Sequence, residues 1–120
     1  TKHTCKDKIK RVLADNKHIT KTTAKKKCPK NYYKGALVVN PGVYRSYHFY
    51  RQDKDKLWSH KDGTRTANRV DASRRIIRDP KNSDRNFGKK RNYKFFCSYF
   101  CVPEDDKKKF MKNYRNYDKK

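Results

Sequence analysis

Apolar side chains in this chain are few and strongly clustered, and that restricts where a core can form more than any motif does. The aromatic residues gather between positions 32 and 58 and between 87 and 100. Hydrophobic residues make up 32% and charged residues 39%, against roughly 45–50% and 25% in an average soluble domain. One domain of 120 residues is therefore expected, with a folded centre at about 32–103, a basic N-terminal arm over 1–31 and a basic C-terminal tail over 104–120.

The stretch YHFYRQDKDKLWSHK, residues 47–61, concentrates this material, since it holds the only tryptophan and two of the four histidines. At period two, His48 and Tyr50 share one face of a strand while Tyr47, Phe49 and Arg51 take the other. QDKDK supplies polar turn residues before Leu57 and Trp58 resume the pattern. The pattern predicts a hairpin with one histidine, His48 or His60, on each arm. Aromatic side chains suit a pleated, half-buried surface, so the central strand pair belongs here.

YYKGALVVNPG, residues 32–42, runs Tyr33, Ala36, Leu37, Val38 and Val39 into the turn signal Asn40-Pro41-Gly42 and predicts a buried strand feeding the hairpin. NYKFFCSYFCVP, residues 92–103, alternates as a final strand, with Phe95, Cys97, Tyr99 and Cys101 on one face and Phe96, Ser98, Phe100 and Val102 on the other. Ile9, Val12 and Leu13, spaced helically behind Thr4 as a cap and Asp7 in the first turn, predict a short amphipathic helix over 5–14. Residues 15–31 show no sustained period and read as an exposed connector. Residues 62–90 read as a long loop anchored by Val70, Ile76 and Ile77, with one short strand at 75–78. Phe110, Met111, Tyr114 and Tyr117 give the tail a helical spacing suited to docking on a partner. The predicted class is α+β: a small antiparallel β-sheet with a short N-terminal helix, a long irregular loop and basic tails. Ordering 15–31, 62–90 and 104–120, at roughly 1–2 kcal/mol of backbone entropy per residue, is expected to depend on partners.

The formal net charge is +23. A chain so cationic repels itself and is most stable beside a polyanion. Its candidate contacts are Lys25, Lys26 and Lys27; Arg65, Arg69, Arg74, Arg75 and Arg78 in the long loop; Lys89, Lys90 and Arg91; and Lys107, Lys108 and Lys109 in the tail. Acidic protein surfaces fit this pattern, and so does nucleic acid, because cations neutralise phosphates while rings such as Tyr47, Phe49, Tyr50 and Trp58 stack on bases. No apolar run approaches the ~18 residues of a membrane span, and no signal-peptide core is present. A start at Thr1 without methionine reads as trimming or a boundary, with sequence missing upstream.

Catalytic signals are sparse. The four cysteines, Cys5, Cys28, Cys97 and Cys101, lack the close pairs of a zinc knuckle; Cys97 and Cys101 on one strand lie about 13 Å apart by the rise per residue. No metal site and no cofactor is expected. Buried free thiols are the commonest reading of strand cysteines, while two disulfides in an oxidising compartment would allow three pairings among which sequence does not choose. A thiol beside His48 would be the minimum for acyl transfer, which makes His48 the one weak catalytic candidate. No small-molecule substrate is indicated.

Taken in order, CPKNYYKGALVVNPG, YHFYRQDKDKLWSHKDGT, NRVDAS, DRNFG and NYKFFCSYFCVP resemble an uncharacterised family of bacteria and of large DNA viruses of amoebae and algae. The likeness covers about residues 28–103, with a weaker echo in HTCKDKIKRVLADN. Longer members look like papain-like cysteine hydrolases, in which an upstream Asn-Cys-Tyr segment supplies a nucleophile and the histidine of the YHFYR strand, here His48, its partner. That segment is missing from this sequence. The chain also departs at Lys56, where relatives carry glycine in the hairpin turn, at Lys61-Asp62-Gly63 in place of Lys-Pro-Gly, and at Ser98 in place of glycine. The resemblance implies a kept fold without activity. Charge and resemblance together predict a non-enzymatic basic structural protein, a minor capsid or virion component of a large double-stranded DNA virus acting as electrostatic cement. Two alternatives stand beside it: a nucleic-acid-binding protein packaged with the genome or resident in the nucleus or cytoplasm of an infected cell, and a remnant of a papain-like cysteine hydrolase.

Overall fold

The computed structural model describes residues 4–41, 45–61 and 67–104. In chain order it holds helix α1 (Cys5–Asp15) and strands β1 (Thr20–Thr22), β2 (Tyr32–Asn40), β3 (Ser46–Gln52), β4 (Trp58–His60) and β5 (Phe95–Pro103). The strands form one antiparallel sheet in the order β1-β5-β2-β3-β4. This is the α+β class the sequence pattern predicts. The hairpin also falls where expected, with Tyr50 opposite His60 and Gln52 opposite Trp58.

β2 lies at the centre, and Ala36, Leu37, Val38 and Val39 are fully buried. A strand covered on both faces reads as an unbroken apolar run instead of an alternating one. On one face Leu37, Val39, Tyr47, Phe49, Phe100 and Val102 pack beneath α1, which contributes Val12 together with the half-buried Cys5, Ile9 and Leu13. Thr4 caps the helix, its Oγ1 accepting from the Asp7 N–H at 3.2 Å. Lys8 is buried too, and its ammonium sits 4.5 Å from the centre of the Tyr47 ring, where the ring face compensates part of the lost hydration. The opposite face carries Ala36, Val38, Tyr50, Trp58 and Tyr99, and is roofed by Ile77, Phe87 and Tyr93 from the long loop.

The alternation expected for β5 fails at one place. Leu37 pairs with Ser98 but Val38 pairs with Phe96, so Cys97 is the extra residue of a bulge. The slip moves Phe96 to the loop-covered face beside Tyr99 and Cys97 to the helix-covered face. Cys97 and Cys101 consequently point to opposite sides of the sheet. The cysteines are not buried free thiols: Cys5 bonds to Cys97 and Cys28 to Cys101, with Cα separations of 5.0 and 5.5 Å. The first bond fixes α1 to β5, and the second fixes the segment following β1 to the same strand. Residues 15–31 are not a bare connector either, since β1 pairs with β5 and Ile19 is buried. What looked aperiodic was a strand too short to show a period.

The described part of the long loop, from residue 67 to 94, makes contacts of its own within the molecule beyond its few apolar anchors. It contains no strand over 75–78, where Ile76 makes an isolated bridge with Val70; further isolated bridges join Asn68 to His60 and Asn86 to Asn92, and two short 3-10 turns complete it. Two charged side chains hold its backbone. The Asp71 carboxylate accepts from the N–H groups of Ser73 (2.9 Å), Arg75 (2.9 Å) and Asp84 (3.1 Å). The Arg85 guanidinium donates to the carbonyls of Pro80 (2.8 Å), Lys81 (2.8 Å), Tyr93 (2.9 Å) and Lys94 (3.2 Å). One collects orphan donors and the other orphan acceptors, which satisfies irregular backbone packed against a core. Apolar anchors alone do not include this contribution.

Two outcomes follow for stability. In the chain-entropy treatment, closing loops of 92 and 73 residues stabilises by about 4–5 kcal/mol for each bond taken alone, comparable with a domain's whole stability of roughly 5–15 kcal/mol. Reduction is expected to lower the melting temperature by more than ~10 °C in calorimetry; an unchanged transition on full reduction would contradict the assigned staples. For Asp71, burial alone would raise the carboxyl, but the three backbone N–H donors outweigh it and the net shift is downward. A depressed folded pKa means that this stabilisation is present above the unfolded carboxyl value of ~3.9 and is lost as pH falls through the folded value. Asp71→Asn is therefore expected to cost about 1.5–3 kcal/mol at neutral pH, with the gap to wild type closing below about pH 4 in acid unfolding curves.

Candidate functional site

The two hairpin histidines meet inside the core. His48 is fully buried and His60 is 3% exposed, and His48 Nε2 lies 2.9 Å from His60 Nδ1. His60 Nε2 lies 2.8 Å from the Val70 carbonyl oxygen, which only accepts, so this nitrogen is the donor. In the neutral form of His60 the other nitrogen, Nδ1, is the acceptor, and His48 Nε2–H is the donor to it, which gives a chain from β3 through β4 to the loop. Tyr93 stacks on His48 at 4.9 Å between ring centres, and Phe87 closes over His60 at 5.5 Å. Tyr50 completes this aromatic surround, its hydroxyl pushed well above the ordinary tyrosine range by burial.

No free thiol is present to join this pair. All four cysteines are consumed in disulfides, so His48 has no thiol beside it, and the thiol chemistry considered from the sequence is not assembled here. The pair's work is to tie hairpin and loop together. His60→Ala would leave the Val70 carbonyl and a His48 nitrogen buried with that partner gone and open a cavity. A loss of about 2–4 kcal/mol is expected in urea unfolding, and a loss below ~0.5 kcal/mol would show that the pair does not hold the fold.

The cationic candidates separate into groups. Arg69 is engaged by carboxylates, its Nε 3.5 Å from Asp53 Oδ2 and its Nη2 in a short contact with Asp55, whose carboxyl it holds below the usual range. Arg75 and Arg78 border a depression shared with Asp71, Asp79 and Asp84, so that surface is mixed in charge. Arg74 is exposed at the turn following Asp71, and Lys89 and Lys90 are exposed on the turn leading into β5. Arg91 lies over the Phe87 ring at 5.0 Å. Arg65, Lys107, Lys108 and Lys109 lie outside the described residues, as does the helical spacing of the tail. The rings proposed for base stacking do not form a platform: Tyr47, Phe49, Tyr50 and Trp58 are between 1% and 6% exposed and belong to the two core layers.

Lys25, Lys26 and Lys27 have a different setting. They form one wall of a cleft of about 380 Å³ at the end of the sheet where β2 starts and β3 stops. Tyr32, Tyr33 and Lys34 of β2 line it, with Arg51 and Gln52 of β3 and Lys54 and Lys56 of the hairpin turn. Lys34 builds the wall, since its ammonium donates to the carbonyls of Thr23 and Ala24, both at 2.8 Å. Burial, and then the charge of Lys56, lower its pKa. The Cys28–Cys101 bond closes the far end of the lysine loop. Arg51 lies over the Tyr33 ring at 5.2 Å with its Nε 3.6 Å from Asp53. Lys56 adopts φ of 74°, the left-handed turn conformation that glycine accepts without strain. Sequence reasoning singled out the lysine run and missed Lys34, Arg51, Lys54 and Lys56. The signal lay in register: pairing of Gly35 with Arg51 brings the start of β2 beside the hairpin turn.

Among the described residues, no helix is long and apolar enough to cross a membrane and no group of metal-ligating side chains is present. No protein-family model matches the chain, and no solved structure matches it. The chain is similar to "Insoluble matrix shell protein 1" of Ruditapes philippinarum, with 50% identity over 50 residues. That match takes in 42% of this chain and 32% of the clam protein, so the chain spans about a third of the relative's length. The relative is named for an insoluble matrix and not for a catalytic activity.

Proposed function

We propose that the chain is a non-enzymatic structural module that cements an ordered shell by binding acidic neighbours through its cationic surface. The observation carrying this reading is the division of labour in the fold. Both buried histidines and all four cysteines are spent on holding the structure, while the lysine-walled cleft faces outward. A stapled scaffold that turns charge toward its surroundings suits recognition of an opposite charge better than it suits chemistry. Likeness to a protein of an insoluble matrix supports a structural role, and disulfides fit an oxidising setting such as an extracellular matrix or a virion.

Of such shells, we infer the particle of a large double-stranded DNA virus, with the protein as a minor capsid component. The motif resemblance supports it over about residues 28–103, a longer span than the clam match. Packaging with the genome is the weaker alternative, because the rings that base stacking would need are in the core. Quantitative mass spectrometry of purified particles is expected to find the protein at fixed stoichiometry, retained after nuclease treatment and released by high salt. Recovery only in the soluble fraction of the producing cells would contradict a shell role. Loss on nuclease treatment would transfer it to the genome.

A further inference from the structure

The geometry points to the cleft between the Lys25–Lys27 loop and the β3–β4 turn as the docking site for a carboxylate-rich segment of an acidic polypeptide. This rests on the cement reading and gives it a place on the molecule. Seven cationic side chains and two carboxylates, Asp53 and Glu104, line the cleft among the described residues. Its volume of about 380 Å³ lies within the range of ligand clefts, but those are mostly apolar, whereas ammonium groups dominate here. A wall so charged repels itself unless an anion enters. Two features keep it in place against that repulsion: the Cys28–Cys101 bond and the two hydrogen bonds from Lys34 to the loop carbonyls. The anion therefore meets a site already formed, and association does not have to order the loop first.

The chemistry of the wall favours carboxylates on a flexible chain. Lysine ammonium groups are compact point charges without the planar fork that arginine offers to phosphate. The one arginine, Arg51, is already laid on Tyr33 and beside Asp53. Asp53 and Glu104 bound the cleft and would repel a dense phosphate or sulphate polymer more than a peptide whose carboxylates are separated by neutral backbone.

Binding of the intact, oxidised protein to a fluorescent oligo-aspartate peptide tests this, with heparin and duplex DNA as comparison probes. Lys25→Ala/Lys26→Ala/Lys27→Ala is expected to weaken peptide binding at least about tenfold, each exposed pair being worth only a few-fold. Removing the same charge elsewhere, by Arg74→Ala/Arg75→Ala/Arg78→Ala, is expected to change it less than about threefold. Equal losses in the two triple variants would overturn the cleft while leaving general electrostatic cementing intact. Failure of the wild-type protein to bind the peptide even at low salt would overturn both. Tighter binding of heparin or DNA with the same dependence on Lys25, Lys26 and Lys27 would keep the cleft and overturn the polypeptide assignment.

Discussion

β5 carries the covalent constraint on which the rest of the structure depends. It lies between β1 and β2 in the sheet, and both of its cysteines reach out of the sheet to segments far back in the chain. A bulge of one residue aims Cys97 at the helix side and leaves Cys101 aimed at the other. A single strand thus holds the amphipathic helix over one core layer and the lysine loop beside the cleft. Without these bonds, a chain of net charge +23 and 32% hydrophobic residues would rely on a thin core to oppose its own repulsion. The thinness is partly relieved because both sheet faces are covered, one by regular helix and the other by irregular loop.

That irregular cover shows how polar residues substitute for apolar ones. Asp71 and Arg85 each satisfy several backbone groups of the loop, and the histidine chain ties the hairpin to the Val70 carbonyl. Such side chains act by removing the penalty of unsatisfied buried backbone more than by adding attraction. They also fix where Ile77, Phe87 and Tyr93 sit over Tyr50 and Trp58. The same economy shapes the cleft, where Lys34 spends its ammonium on two loop carbonyls and so keeps its neighbours in place.

Much of the sheet was legible from the sequence, and the reasons are physical. Period two over residues 47–50 placed His48 with Tyr50 and Tyr47 with Phe49, as the two core layers show. The continuous run from Ala36 to Val39 announced a buried strand, and all four residues are fully buried. Thr4 and Asp7 marked the helix start. What escaped was information held in three dimensions. The bulge at Cys97 depends on the register with β2, and the cysteine pairing depends on that bulge. Asp71 and Arg85 look like ordinary loop charges until the backbone folds around them. The cleft draws on segments apart in sequence, so its lysine run looked like a solvated connector. The aromatic residues were assigned two possible jobs, and packing gave them the core.

The account stands on the arrangement of the disulfides, because both the helix packing and the cleft wall depend on it. Peptide mapping of the non-reduced protein by mass spectrometry, with free thiols alkylated beforehand, tests it most directly. The account predicts peptides joined through Cys5 and Cys97 and through Cys28 and Cys101, with no alkylated cysteine. Either of the other two pairings, or alkylation of any of the four in the folded protein, would contradict it.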